Sequence, residues 1–308
     1  MLQNPFSSPG NWYRANLHAH TTKSDGNLSP EQCVEFYHGA GYQVLAITDH
    51  SHVTTAEAPP GMLLLSGVEW GGGKSRQGTH YHVVGLNVKT RGKMSPPDGA
   101  GPQQLVDALR ADGGETFIAH PYWSGLMAED VASIKGCFAV EVYNTGCDLE
   151  IMRGFSQVHW DDLLTLGCEF GAVAVDDGHV HPRDHGLGWT MIRAEALTSE
   201  AIMSALTAGR YYSSIGPEIL DIAVAGKKVK VRTSPVASIA LVSSPEQGAR
   251  CFAAPGKTIT AAEFEAPQAR YWRIEAWDSS GKVAWSNAFA AEEARSRTFG
   301  FAQVGRVE

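Results

Sequence analysis

The sequence predicts an α/β unit built on a parallel sheet with crossover helices, open or closed into a barrel, followed by a small antiparallel β-sandwich. Three observations carry this. Up to about residue 220, short apolar runs alternate with helical patterns, and strand–helix–strand repetition calls for parallel pairing. After about residue 222 the runs are short and alternating, separated by Gly, Pro, Ser and Asp turns, the texture of a sandwich. Finally, ionisable residues recur at the ends of the apolar runs in the first part. In a parallel barrel those ends converge on one face.

In chain order, "ANLHAH" is the first strand of interest. "SPEQCVEFYHGAG" then reads as a helix, with Ser29 as N-cap, Pro30 at the first helical position, Gln32 completing a capping box and Gly41 near the stop. "VLAITDH", "LLLSGVEW" and "YHVVGLNV" follow as strands. "GPQQLVDALRADGG" is a helix that starts at Pro102 and stops at Gly113 and Gly114. "TFIAHP", "FAVEVYN", "FGAVAVDD" and "GLGWTMI" are strands, and "LTSEAIMSALTAGR" is a helix capped by Thr198 or Ser199. "SSIGPEIL", around Gly216 and Pro217, is the linker, which divides the chain into residues 1–218 and 219–308. Beyond it "IAVAGKKVKVRT", "SIALVSS", "ARCFAAPG", "TITAAEFEA", "YWRIEAWDSSGKVAWSNAFA" and "RTFGFAQV" supply strands, with "DSSG" as a hairpin loop and "AAEEARS" as no more than a turn. Trp272, Trp277 and Trp285 are expected to fill the sandwich's own core, since aromatics in alternating strands pack inward.

Composition narrows the function. The chain has 308 residues, 43% of them hydrophobic, and a formal net charge of −8. No stretch approaches the ~20 apolar residues of a membrane span. Without a long Lys or Arg run, neither a membrane nor nucleic acid is expected as a general partner. The first fifteen residues lack the basic and apolar regions of a secretory signal. Five scattered cysteines (Cys33, Cys137, Cys147, Cys168, Cys251) form no CxxC pair. That argues against a disulfide framework or a thiolate zinc site, and suits small buried hydrophobes in a reducing cytoplasm.

The chemistry lies in the strand-end residues. In an extended "NLHAHTTKSDG", His18 and His20 point to one face, where a metal ion would accept both lone pairs. Asp49 and His50 end another run, Glu69 another and His120 a third; Glu141 lies in "VEVYN", and Asp176, Asp177 and His179 close "VAVDDGH". Charges buried at such positions must be paired or bind metal. A His/carboxylate cluster without thiolates suits Mn, Fe or Zn ions sharing a bridging carboxylate. No GxSxG appears, so a serine triad is a poor competitor.

HxHTxxSDG, TDH, a strand-ending Glu, AHP and DxH occur in that order across residues 16 to about 215. This series resembles the PHP (polymerase and histidinol phosphatase) family. "VAVDDGH" followed by "GWTMI" and a sandwich with "AWSN" more loosely resembles the branch with carbamate-ester hydrolases of the CehA/McbA type. The resemblance implies a distorted (β/α)7 barrel holding two to three divalent metals. It makes His18, His20 and Asp177 ligands of the first metal, Glu69 the bridge, and His120 a ligand of the second. Asp25, His50 and His179 match the third metal's ligands. His80 sits where relatives carry a GH pair, although here Thr79 replaces the glycine and His82 follows. Asp49 and Asp176 are outer partners that orient a ligand imidazole, or ordinary strand-end hydrogen-bonders. Glu141 completes a metal shell or bonds the barrel floor.

His52, His181, Arg183 and His185 lie on loops beside these positions, and Lys74 and Arg76 on "GGGKSRQG". Cationic side chains there would hold a phosphate or protonate a leaving group. The reading is a metal-dependent phosphoesterase acting on a small-molecule phosphate ester. A hydroxide shared by two metals would be the nucleophile, with Glu69, His52, His181 and Arg183 catalytic and Arg183, Lys74 and Arg76 binding substrate. Two alternatives stand beside it. One is hydrolysis of a carbamate, amide or carboxylic ester at the same site; the other is a non-catalytic metal-holding protein that binds a partner or carbohydrate.

Overall fold

The computed structural model describes residues 2–244 and 247–290. Its first part alternates strands and helices in the order β1 (Asn11–Asn16), α1 (Pro30–Gly39), β2 (Val44–Ile47), β3 (His52–Val53), β4 (Leu63–Gly72), β5 (Tyr81–Leu86), β6 (Gly92–Lys93), α2 (Pro102–Ala111), β7 (Glu115–Ile118), α3 (Ala128–Ala132), β8 (Cys137–Asn144), α4 (Thr145–Ile151), α5 (Gln157–Thr165), β9 (Gly171–Val175), β10 (Trp189–Ala194), α6 (Ser199–Thr207) and β11 (Tyr211–Ser214). Local signals locate the first helices. Ser29 accepts from the Gln32 backbone while the Gln32 side chain accepts from the Ser29 N–H, closing the capping box of α1. Pro102 opens α2, and Thr198 rather than Ser199 caps α6. The short α3, α4 and α5 are not foreseen by these signals: α3 has no side-chain cap, α4 is capped by the strand residue Asn144, and α5 starts at an uncapped Ser156.

The strands run β10–β1–β2–β4–β5–β7–β8–β9 across one sheet. β1, β2 and β4 are mutually parallel, as are β7, β8 and β9, but β5 is antiparallel to both its neighbours. The wholly parallel sheet expected from sequence is thus corrected. No helix separates β4 from β5, so the chain turns straight back through a loop, which forces antiparallel pairing. The strand path does not close into the distorted (β/α)7 barrel expected from the resemblance either. β9 ends the path, and its extension meets that of β1 at a single parallel bridge, Ala19–Gly178. Asp177 N donates to His18 O at 2.9 Å and His20 N to Gly178 O at 3.2 Å. Further down, side chains span the gap: Thr190 Oγ1 donates to Ala174 O at 3.0 Å and Ser213 Oγ to Ala172 O at 2.8 Å.

Beyond Pro217 the chain is all β among the described residues: β12 (Ile219–Ala225), β13 (Lys228–Val236), β14 (Ser238–Ser243), β15 (Gly248–Phe252), β16 (Ile259–Glu265), β17 (Tyr271–Trp277), β18 (Val283–Ser286) and β19 (Phe289–Ala290). "DSSG" is the β17–β18 hairpin loop: Asp278 Oδ1 accepts from Ser280 N and Lys282 N, and Gly281 takes φ +88°. β12, β13 and β16 form one layer, while β15–β14–β17–β18 continue the first sheet through the pairing of β18 with β11. Between the layers pack Ile222, Val231, Ile239, Ile274 and Trp272, joined by Tyr212. Trp285 and Trp277, expected in this core, lie on the other face of the sheet. Trp285 is buried in the cluster of Tyr143, Val283 and Trp160, and Trp277 packs against it. The segments "RTFGFAQV" and most of "AAEEARS" lie outside the described residues.

Candidate metal centre

The loops that leave β1, β2, β7 and β9 meet strand β4 at one end of the sheet. There His18, His20, Glu69, Asp177 and His120 are buried among apolar strands. Their ligating atoms form three groups: His18, His20, Glu69 and Asp177; His20, Asp25, His50 and His179; and Glu69, His82 and His120. Glu69 joins the first group to the third, and His20 joins the first to the second.

Hydrogen bonds on the outer side of four imidazoles bear on their tautomers. His18 Nδ1 lies 2.7 Å from Glu141 Oε1, so the ring donates there and turns the Nε2 lone pair inward. His20 Nδ1 faces Ser24 Oγ at 3.3 Å, and that hydroxyl donates to Asp49 at 2.7 Å. His179 Nδ1 donates to the Asp177 carbonyl at 2.8 Å, and His120 Nδ1 meets Ser24's counterpart after β7, Ser124, at 3.1 Å. The consequence is a convergence of lone pairs. His18 and His20 bring their Nε2 atoms within 3.1 Å of each other, and each lies within 3.3 Å of Glu69 Oε2. Asp177 Oδ1 sits 3.0 Å and 3.2 Å from the same two nitrogens, yet it is buried with no hydrogen-bond partner because neither approach has the geometry of one.

Such a cluster demands positive charge. Burial opposes the charged form of His18, but Asp177, Glu69 and Glu141 hold its pKa well above the ordinary value. His20, equally buried, is raised to about 9 by the close carboxylates of Asp177 and Glu69. Burial alone would raise the carboxyls of Glu69 and Asp177; the facing histidines hold both well below the usual range. Groups that attract protons this strongly attract a divalent cation in their place. The all-N,O donor set suits Mn, Fe or Zn. The fit rests on this structure's own features: inward lone pairs and an orphaned carboxylate oxygen.

The backbone at two of these residues is unusual. His120 takes φ +27° and Asp177 φ +50°, left-handed values that cost a side-chain-bearing residue roughly 1–3 kcal/mol. Glu141 Oε2 accepts from His120 N at 2.7 Å and from Asn144 Nδ2 at 2.8 Å, which holds the first turn in place. Gly146 permits the second: a Cβ there would stand 2.6 Å from the Asp177 carbonyl.

Several sequence expectations are relocated. His80 does not join the cluster; it lies exposed before β5, and His82 inside the strand brings Nδ1 to 2.8 Å from Glu69 Oε1. Lys74 and Arg76 do not line the cavity over the cluster. Their loop folds away, and Arg76 pairs with Asp130 at 3.4 Å, at the start of α3. His52 lies in the β3–β6 ribbon, its backbone opposite Lys93. His181 packs against Phe36, with ring centroids 4.8 Å apart. Neither of those histidines lines the cavity, whereas Arg183 does. Asp49 acts on His20 through Ser24, as an outer partner. Asp176 instead accepts from Gly186, Leu187 and Gly188 backbone N–H groups and organises that loop. Glu141 is the outer partner of His18 rather than a member of a donor group. Sequence reasoning missed Trp123, Cys147, Glu150 and Asp184, which line the cavity of about 340 Å³. Only their nearness to AHP, VEVYN and DxH could have flagged them.

Comparison with known proteins is consistent with this fold. No family model matches the chain. A 5'-3' exoribonuclease of Haemophilus influenzae is 38% identical over 86 residues, 26% of this chain; the match spans 31% of that protein's length. Among solved structures, an amidohydrolase from Chromobacterium violaceum aligns at TM-score 0.46 and 18% identity, covering 64% of this chain and 96% of its own. A metal-dependent phosphoesterase, so described, from Bifidobacterium adolescentis aligns at 0.44 and 17%, covering 63% and 96%. A two-domain protein from Bacteroides vulgatus, described as containing a predicted PHP-like metal-dependent phosphoesterase, aligns at 0.52 and 12%, covering 94% of this chain and 99% of its own. The chain shares the overall fold of that two-domain protein.

Proposed function

We propose that the chain is a metal-dependent phosphoesterase of the PHP type, acting on a small phosphate ester. One observation carries the reading: buried imidazole lone pairs and carboxylate oxygens converge with Asp177 Oδ1 left unpartnered. Two to three divalent ions held by these groups would supply Lewis acidity and a water acidified to near neutrality. The chain's own residues do the rest. Glu69 ties two donor groups together, so its single carboxylate fixes their spacing. Glu141, the Ser24–Asp49 pair and the Asp177 carbonyl keep three imidazoles in the ligating tautomer. Arg183 at the cavity wall is placed to take the charge of phosphoryl oxygens. Cys147, also on that wall, stays a neutral thiol because burial and the surrounding carboxylates push its pKa up.

A second reading has one observation in its favour. Arg183 is the only Lys or Arg among the lining residues, and an ester of an uncharged acid, such as a carbamate, needs fewer cations than a phosphate. A panel of phosphate mono- and diesters and carbamates, run with Mn, Fe and Zn separately, decides. The phosphoesterase reading expects chelator-sensitive release of phosphate. Turnover of carbamates alone selects the second reading, and metal binding without any turnover removes both.

A further inference from the structure

The cavity over the donor groups is walled by acids and imidazoles together with Arg183, Cys147, Val180 and one indole, that of Trp123. Trp123 belongs to the turn that follows His120, which is tied by Ser124 N donating to His120 O at 3.0 Å and by Ser124 Oγ beside His120 Nδ1. Its ring stands nearly perpendicular to His120, with centroids 5.1 Å apart, and to His82 at 6.0 Å. Its one polar group is already used, because Nε1 donates to Glu150 Oε2 at 2.9 Å across to α4. What the half-buried indole still offers a ligand is apolar π surface, held in one orientation beside the Glu69–His82–His120 group. Trp123 is the only Phe, Tyr or Trp among the lining residues.

We propose, resting on the phosphoesterase reading, that Trp123 is a specificity-determining residue: it stacks on a planar ring carried by the ester. The preferred substrate class is then a phosphate ester whose alcohol part is aromatic or heteroaromatic, with Arg183 serving its phosphate group. Stacking of this kind tolerates different planar rings, because each presents a π face.

The test uses ligands with no bond to hydrolyse. Affinities of phenylphosphonate and methylphosphonate are measured by calorimetry on the full-length, metal-loaded protein. The native chain is expected to bind phenylphosphonate about 10-fold more tightly, the scale of one stacked ring. Trp123→Ala should abolish that preference and Trp123→Phe should keep most of it, with metal content unchanged in both. Equal affinities in the native protein, or a Trp123→Ala variant that weakens both ligands alike, overturn the proposal; so does failure of both phosphonates to bind. A native protein that shows the preference yet hydrolyses no ester leaves Trp123 in this role and removes the hydrolase reading alone.

Discussion

Glu69 is the residue on which two donor groups depend. Its Oε2 faces His18, His20 and His50, and its Oε1 faces His82 and His120. Glu69→Gln keeps the shape but replaces one acceptor oxygen with a donor and removes the shared charge. Activity of the folded variant is expected to fall by about 100-fold or more, the scale of losing a key electrostatic element; near-normal turnover would remove Glu69 from the bridging role. Two neighbouring histidines give a sharper comparison. His82→Ala should lower both metal content and activity, by at least the ~10-fold that loss of even an outer partner costs. His80→Ala, on an exposed loop, should leave both unchanged within about two-fold, the ordinary range of a surface substitution. Reversal of that order would restore the residue expected from sequence. His18, His20, Glu69, His120 and Asp177 are legible in the sequence because polar residues ending buried runs need a reason to be there. His82 is not, because β5 is buried on both faces and offers no alternation to show which histidine points inward.

At the scale of elements, the join between α5 and β17 is made by buried charge. Arg273, 1% exposed, donates through Nε and Nη2 to the two oxygens of Asp161 on α5 and through Nη1 to Glu275 Oε1, at 2.6–2.8 Å, and lies over the Trp160 ring. Tyr271 and Trp277 hydrogen-bond to the same two carboxylates. Arg273→Ala would leave Glu275 buried without its cation, and stability should fall by about 3–5 kcal/mol; chemical denaturation with a change below about 1 kcal/mol, the value of an exposed pair, would contradict this. The sequence shows the helices α1, α2 and α6 through their caps. It does not show this join, because nothing in a one-dimensional pattern pairs Asp161 with Arg273. The same limit hides the loop that turns Lys74 and Arg76 away: glycines signal a turn, but its direction follows contacts distant in sequence, Thr79 with Ser124 and Arg76 with Asp130.

Across the whole molecule, the sheet runs without a break from the candidate metal centre into the C-terminal strands. β18 pairs with β11 from Tyr212–Ser286 to Ser214–Ala284, and Trp285 fills the core beneath α5. A chain ending at Pro217 would strip β11 of its partner and uncover Tyr212 and Tyr143. It is expected to be far less stable than the full chain, seen as a lower thermal midpoint or loss of soluble protein, while any folded fraction still binds metal through His18, His20, Glu69 and Asp177. A truncated form as stable as the full chain would show that this continuity carries no energy. The central claim, that buried donors exist to hold ions, is tested most directly by elemental analysis of full-length protein reconstituted and purified without chelator. Two to three equivalents of transition metal per chain are expected from donor groups of this kind, falling in the Glu69→Gln variant; fewer than one equivalent in the native protein would contradict it.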